Sequence, residues 1–141
     1  MRLTNMVTGG SATVTASIDG VPFLGLPSKV HVQAVVHDDM KSNGSYVEVR
    51  ATLTRTHMQR GVEADETSIE YENKIYVSGA EPLVAGQTYE WSGQVTLPIE
   101  EHRTGEGRTS YMRCRWELRA GLDVLGNDPD SGWQSFDVTN K

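Results

Sequence analysis

Paired cysteines and long apolar runs, the two features that most directly indicate a secreted or membrane-spanning chain, are both missing. The 141 residues include one cysteine, Cys114, so no disulfide can form within the chain. No apolar run approaches the roughly 20 residues that a bilayer-spanning helix needs. The first seventeen residues also have no apolar stretch of the kind found in secretory signals. These absences predict a cytoplasmic protein with no membrane span.

Positive charge is scarce as well. Thirteen Lys and Arg are set against nineteen Asp and Glu, which gives a net charge of −6. A nucleic-acid-binding protein neutralises phosphates with a concentrated basic surface, so we expect no nucleic-acid partner. With 37% hydrophobic and 23% charged residues, the length suits one folded domain over residues 1–141, with its core between about 11 and 138.

The most prominent pattern in the chain is alternation with a period of two residues. In "KVHVQAVVH", valines and an alanine alternate with polar side chains, as in a strand with one buried face. Similar segments recur along the chain, separated by turn-rich stretches, and no segment has a helical period. The pattern predicts an all-β fold, an immunoglobulin-like β-sandwich of two antiparallel sheets with seven to eight strands.

Several turn and loop positions can be predicted in more detail. The long alternating segment "YMRCRWELRAGLDVLG" is expected to bend or bulge near Gly121, since it would otherwise extend about 50 Å. Asn43-Gly44 is the residue pair most typical of a two-residue hairpin turn. Long loops, the usual place for binding residues, are expected at 55–67 and 100–110.

The order of these segments resembles that of a known superfamily. "SGAEPLVAGQTYEWSGQVTLP" combines a small loop, Ala-Gly and an aromatic strand that ends in Leu-Pro, and "RCRWELRAGLDVLGNDPDS" continues with a long strand, Leu-Asp-Val and an acidic pair. Together with "SKVHVQAVVHDDMKSNGSYVEVRATLTRT", they resemble the arrestin-like superfamily, in particular its bacterial sporulation-control-like members. The resemblance implies a sandwich that binds other proteins without catalysing a reaction. Those relatives carry two tandem sandwiches, whereas this length provides one.

The acidic C-terminal segment "LDVLGNDPDSGWQSFDV" could be a metal loop, a catalytic carboxylate pair or a turn. Asp128-Pro129-Asp130-Ser131-Gly132 suits a type I turn in which Asp128 accepts a backbone hydrogen bond and Gly132 has positive φ. A calcium loop needs six to eight converging oxygens, usually with a bidentate carboxylate at its end, and this spacing is absent. The turn is therefore favoured, and we predict no metal and no cofactor.

Neither the histidines nor the cysteine form a catalytic pattern. His31 and His37 lie on one strand face but about 20 Å apart, too far to share a metal, and His57 and His102 are expected on the surface. Cys114 lies between apolar residues on the inward face, which predicts a buried, unreactive thiol. Because no nucleophile–base set is visible, we predict no catalytic residues and no enzyme activity.

A row of arginines is the strongest candidate site. It comprises Arg103, Arg108, Arg113, Arg115 and Arg119. The segment "VEADETSIEYE" is acidic and has no basic residue. One interpretation is cross-strand ion pairing on a solvated sheet; the other is a face that recognises carboxylates of a partner.

Three functions remain open from the sequence. The first is an interaction or scaffold module that binds an unidentified protein through the arginine face, a sheet edge or a loop. The second is a structural component that self-associates through sheet edges or charged faces. The third is a small-ligand or sugar-binding sandwich, for which an exposed Trp133 or Tyr76 would be the sign.

Overall fold

The structure, a computed structural model, describes residues 11–59, 61–98 and 110–139, except for the side chains of 57–59 and 110–113. These ranges contain nine strands and no helix, and hence no helix with the length and apolar character to cross a membrane. The strands are β1 (Ala12–Ile18), β2 (Pro27–Val36), β3 (Met40–Ser42), β4 (Ser45–Gln59), β5 (Val62–Tyr76), β6 (Glu81–Leu83), β7 (Thr88–Thr96), β8 (Ser110–Leu122) and β9 (Gln134–Phe136).

The strands form two main antiparallel sheets. One has the order β1-β2-β7 and the other the order β5-β4-β8-β9, while β3 and β6 pair as a small separate ladder. The predicted all-β sandwich is therefore confirmed. The strand count exceeds the predicted seven to eight because β3 and β6, each of three residues, lie in segments that were predicted as turns.

The core lies between the two main sheets and follows the predicted alternation. The inward faces of β2, β4 and β8 are apolar and almost completely buried, whereas their outward faces are polar. Alternating burial of this kind is what fixes the pairing register, because a slip of one residue would turn every apolar side chain to solvent. The inward set is Val30, Val32, Ala34 and Val36 in β2, Val47, Val49 and Ala51 in β4, and Trp116, Leu118, Ala120 and Leu122 in β8.

The predicted loop at 55–67 is wrong, because most of this segment belongs to two long strands. β4 and β5 have fifteen residues each, and their pairing continues to Gln59 opposite Val62. Side chains support the pairing beyond the core: Thr56 donates a 2.7 Å hydrogen bond to Asp65. The other predicted loop, at 100–110, lies outside the described residues except for Ser110, which begins β8.

Two glycine predictions are also corrected. The pairing of β8 with β4 runs without a register shift through Gly121, so the predicted bulge is absent from this ladder; the irregularity of β4 lies in its ladder with β5, between Ala51 and Thr52. Asn43-Gly44 does not close a hairpin, because it connects β3 and β4, which belong to different sheets. Gly44 nevertheless has a φ of 145°, and a Cβ there would stand 2.8 Å from the carbonyl oxygen of Ser78.

Candidate interaction face

The outward face of the four-stranded sheet carries a regular arrangement of charges. In β4 and β8 every second residue points away from the core, and the pairing register places unlike charges opposite each other. Glu48 lies opposite Arg119, and Arg50 lies opposite Glu117. Opposite charges at directly paired positions stabilise an antiparallel ladder. Because β4 supplies the glutamate of one pair and the arginine of the other, the charges also alternate along each strand.

Both pairs form close contacts. Arg119 Nε donates a 2.7 Å hydrogen bond to Glu48 Oε1, and Arg119 Nη2 lies 2.6 Å from the same oxygen. Arg50 Nε donates a 2.8 Å hydrogen bond to Glu117 Oε1. The four side chains are between 13% and 29% exposed, so water screens these pairs less than it screens fully exposed ones.

Trp133 covers both arginines. Its ring centroid lies 3.9 Å from Cζ of Arg50 and 4.6 Å from Cζ of Arg119, distances at which a guanidinium is attracted to an indole face. We call Glu48, Arg50, Glu117, Arg119 and Trp133 the charge lattice. Trp133 is partly buried against these side chains. Of the two aromatic residues named as signs of a sugar-binding site, Tyr76 is the exposed one, at 50%.

Arg115 lies on the same face, two residues from Glu117, but outside the charge lattice. Its side chain is exposed and borders a shallow depression of about 290 Å³ that also contains three threonines. Within the described residues no carboxylate comes within ion-pair distance of Arg115. We call Arg115 and the depression lined by Thr52, Thr54 and Thr67 the Arg115 site.

The predicted arginine row therefore divides into different environments. Arg119 is ion-paired within the sheet, whereas Arg115 is open to solvent. The backbone of Arg113 pairs with Thr54, but its side chain, and all of Arg103 and Arg108, lie outside the described residues. The predicted cross-strand ion pairing thus accounts for Arg119 and not for Arg115.

Arg50 is a member of the charge lattice that the sequence analysis did not select. Its signal was present in the alternation of β4, where it falls between the outward-facing Glu48 and Thr52. Arg50 and Arg119 come together only when β4 and β8 pair, and the ring of Trp133 then lies over both.

The acidic C-terminal segment anchors two tyrosines. Asp128 accepts hydrogen bonds from the backbone N–H of Val124, at 3.1 Å, and from the Tyr46 hydroxyl, at 2.9 Å. Tyr76 donates a 2.8 Å hydrogen bond to Asp123. Burial raises the pKa of Tyr46, and the hydrogen bond to Asp128 raises it further. The hydrogen bond to Asp123 raises the pKa of Tyr76.

The type I turn predicted over Asp128–Gly132 is wrong in position. The chain bends at residues 125–127, and residues 129–131 run beside the end of β8, where the N–H of Leu122 donates to the carbonyl of Pro129.

Two of the features predicted for this segment are nevertheless present, namely the backbone hydrogen bond to Asp128 and the positive φ at Gly132. Asp130 accepts a 2.8 Å hydrogen bond from the backbone N–H of Gly132, and Gly132 has a φ of 74°. Among the residues that the structure describes, no three His, Cys, Asp or Glu side chains are grouped so that they could hold a metal ion. The segment acts as a structural connection between the ends of β4, β5 and β8.

Two of the four histidines are described with their side chains, and both lie on the outward face of the three-stranded sheet. His31 Nε2 lies 2.9 Å from Asp19 Oδ1, and His37 Nε2 lies 2.9 Å from the hydroxyl of Thr13. Each histidine therefore has its own local partner. The side chains of His57 and His102 lie outside the described part of the chain.

Cys114 differs from its prediction. It packs against the core but is only partly buried, and it borders a depression that is also lined by Trp116 and Phe136. The alternation correctly predicted the inward face. Full burial also needs a second layer above the residue, and a pattern within one strand contains no information about that layer.

Comparison with solved structures shows a similar fold. The sporulation control protein Spo0M from Bacillus subtilis superposes with a TM-score of 0.64 and 15% identity, over 94% of this chain and 51% of that protein. This chain thus spans about half the length of that protein. At this identity the likeness shows the fold alone, and the predicted arrestin-like sandwich is confirmed. No protein-family model and no curated protein sequence matches the chain.

Proposed function

We propose that this protein is a cytoplasmic, non-enzymatic interaction module that receives a carboxylate of a partner protein at the Arg115 site. The observation that carries the proposal is the exposed side chain of Arg115, which borders the same depression as Thr52 and Thr54. A guanidinium offers parallel N–H donors that match the two oxygens of a carboxylate, and threonine hydroxyls add further donors.

The charge lattice supports this assignment by holding the neighbouring surface in place. Arg50 and Glu117 line the same depression as Arg115. Glu117 is the carboxylate nearest to Arg115 in sequence, and it already accepts a 2.8 Å hydrogen bond from Arg50. Arg115 is therefore left to interact outside the sheet. A binding group on a rigid sheet loses less conformational freedom on binding than one on a loop, which favours recognition.

A role in binding without catalysis agrees with how the other ionisable groups are used. The carboxylates of Glu48, Glu117, Asp123 and Asp128 each accept a hydrogen bond from a side chain of the same protein. Cys114 is partly buried against the core. Arg115 is thus the group of the candidate face that is best placed to meet another molecule.

The test compares three tagged forms of the full chain in crosslinked capture from the native host's lysate. These are the unchanged protein, Arg115→Glu and the control Lys41→Glu, which makes the same charge change at an exposed position in β3. We expect a protein recovered near one-to-one with the unchanged chain and with Lys41→Glu, and at least tenfold less of it with Arg115→Glu.

Two outcomes would contradict the proposal. Equal recovery with Arg115→Glu would show that the partner binds elsewhere on the surface. Recovery of the bait alone, as an oligomer of defined size in all three forms, would favour the self-assembling structural component. Equal melting temperatures of the three forms would show that any difference in capture comes from binding and not from unfolding.

A further inference from the structure

Strand β5 has one open edge. It lies at the end of the four-stranded sheet and pairs with β4 along one side only. Within the described ranges no other backbone group bonds to its second side. The strand has fifteen residues and therefore presents an edge of about 50 Å. An uncovered edge of this length is a ready template for another strand.

The side chains of β5 are mostly exposed, and its charged side chains are mostly acidic. The strand carries five carboxylates and one lysine, namely Glu63, Asp65, Glu66, Glu70, Glu72 and Lys74. Exposed apolar residues are spaced along it: Val62 is 63% and Ile69 is 52% exposed. The edge thus combines unpaired backbone groups, negative charge and apolar side chains.

These charges discriminate between the strands that could add to the edge. A second copy of β5 would bring five more carboxylates against the first five, and like charges on paired strands destabilise a ladder. A segment in which basic and apolar residues alternate has all its cations on one face. On the outward face of β5 these cations would meet Glu63, Asp65 and Glu72, while the apolar side chains of the segment would lie on the opposite face, beside Val62. The acidic edge therefore disfavours β5-to-β5 self-association and favours a basic partner.

The other open edges in the described part of the chain are less suited to this role. β9, at the far end of the same sheet, has three residues, as do β3 and β6 in the small ladder. β1 and β7, at the ends of the three-stranded sheet, have seven and nine residues, and Glu90 in β7 is the one carboxylate between them. None of them matches β5 in length or in charge.

We propose that the open edge of β5 binds an extended basic segment of a partner protein, which pairs with the strand through backbone hydrogen bonds. In this arrangement the main-chain bonds supply affinity, and the side chains of alternate residues supply specificity. The proposal does not depend on the Arg115 site, which has the opposite charge and selects a carboxylate. The chain would thus offer two surfaces of opposite sign to its partners.

The probe is a capped nine-residue peptide of alternating lysine and valine, with binding measured by fluorescence anisotropy on the full chain. We expect saturable binding, and protection of backbone amides in Val62–Tyr76 from hydrogen exchange when the peptide is bound. A second peptide carries N-methyl groups on two adjacent central residues, which removes one donor from each of its edges while its charge stays the same. This peptide should bind at least tenfold more weakly.

Charge-reversed variants test the side chains. Glu63→Lys with Glu72→Lys should weaken binding of the plain peptide at least tenfold. The matched control, Asp38→Lys with Asp137→Lys, makes the same change in net charge at exposed positions outside β5 and should bind like the unchanged chain. A melting temperature close to that of the unchanged chain in both double variants would show that neither has unfolded.

Four outcomes would overturn the proposal. Equal binding of the N-methylated peptide would mean that charge alone attracts the peptide, and protection of amides on β1, β7 or β9 instead of β5 would place the peptide on another edge. Equal loss of binding in the two double variants would mean that only the net charge of the protein matters. The fourth outcome is that the plain peptide does not bind at all.

Discussion

The ring of Tyr46 lies directly over Gly121, so closely that a Cβ on that glycine would stand 2.6 Å from Cζ of the tyrosine. The two residues are paired across β4 and β8. Tyr46 faces outward but is only 3% exposed, because its ring lies flat against the neighbouring strand. Gly121 is not in the left-handed region, so the requirement for glycine comes from the close approach of the ring and not from the backbone conformation.

Gly121→Ala should therefore destabilise the protein. The added methyl group must displace a buried tyrosine that Asp128 also holds, and such overpacking costs about 1–3 kcal/mol. Urea unfolding would measure the change. Gly79→Ala is the control, because a Cβ there meets no atom within 4 Å. Equal changes in the two variants would show that the cost belongs to glycine replacement in general and not to contact with Tyr46.

Tyr46 should also make stability depend on pH at the alkaline end. Burial raises the pKa of its hydroxyl above the ordinary value of 10.0, so the folded state holds the proton more tightly than the unfolded state does. The resulting stabilisation is complete below about pH 10 and is lost as the pH rises above that value, since the unfolded chain then releases the proton first.

The comparison of the unchanged protein with Tyr46→Phe measures this effect. At pH 8 the variant should be less stable by about 1.5–3 kcal/mol, because it lacks the hydrogen bond to a carboxylate. At about pH 10.5 the difference in the free energy of unfolding should shrink. A difference that stays constant between the two pH values would contradict the assignment of the alkaline effect to Tyr46.

The alternation in the sequence correctly predicted the strands that have one buried apolar face and one polar face. In β2 and β8 one side chain in two is buried, so apolar and polar residues alternate and the inward set can be identified without coordinates. The same alternation placed Arg115 and Arg119 on the outward face. What separates these two arginines is the partner strand, since Glu48 lies opposite Arg119 whereas Thr52 lies opposite Arg115.

The far part of the β4–β5 hairpin could not be predicted in this way. Beyond Leu53 the described side chains of β4 are polar, including the buried Thr56, and those of β5 opposite them are mostly exposed, so the alternation of apolar and polar residues disappears. Gly61, with a φ of 77°, lies in the connection and is also typical of a loop. The pairing there rests on cross-strand polar contacts such as Thr54 with Thr67, at 3.0 Å.

Reversing one charge of the lattice should destabilise the sheet. Arg119→Glu would place two carboxylates opposite each other beside Trp133, at a cost of about 1–2 kcal/mol. The double variant Glu48→Arg with Arg119→Glu restores unlike charges and should recover most of that loss. Arg115→Glu is the control and should change stability by less than about 0.5 kcal/mol, since its side chain is exposed. Thermal and urea unfolding of the four proteins would measure these differences. A double variant no more stable than Arg119→Glu would show that the attraction between these two charges does not stabilise the sheet.

Calcium should leave the melting temperature unchanged. Asp123, Asp128 and Asp130 already accept hydrogen bonds from Tyr76, Tyr46 and the N–H of Gly132, so an ion would have to displace these donors. An ion at a hundred times its dissociation constant would add about 2.7 kcal/mol to the stability of the folded state. That would raise the melting temperature by several degrees.

Scanning calorimetry with calcium in excess, and again with EDTA, would detect such a shift. We expect the two melting temperatures to agree within about 1 °C. Asp128→Asn should lower the melting temperature equally in both conditions, because the loss of charge weakens the bond from Tyr46 whether or not calcium is present. A rise with calcium that disappears in Asp128→Asn would mean that the acidic segment binds the ion and is more than a structural connection.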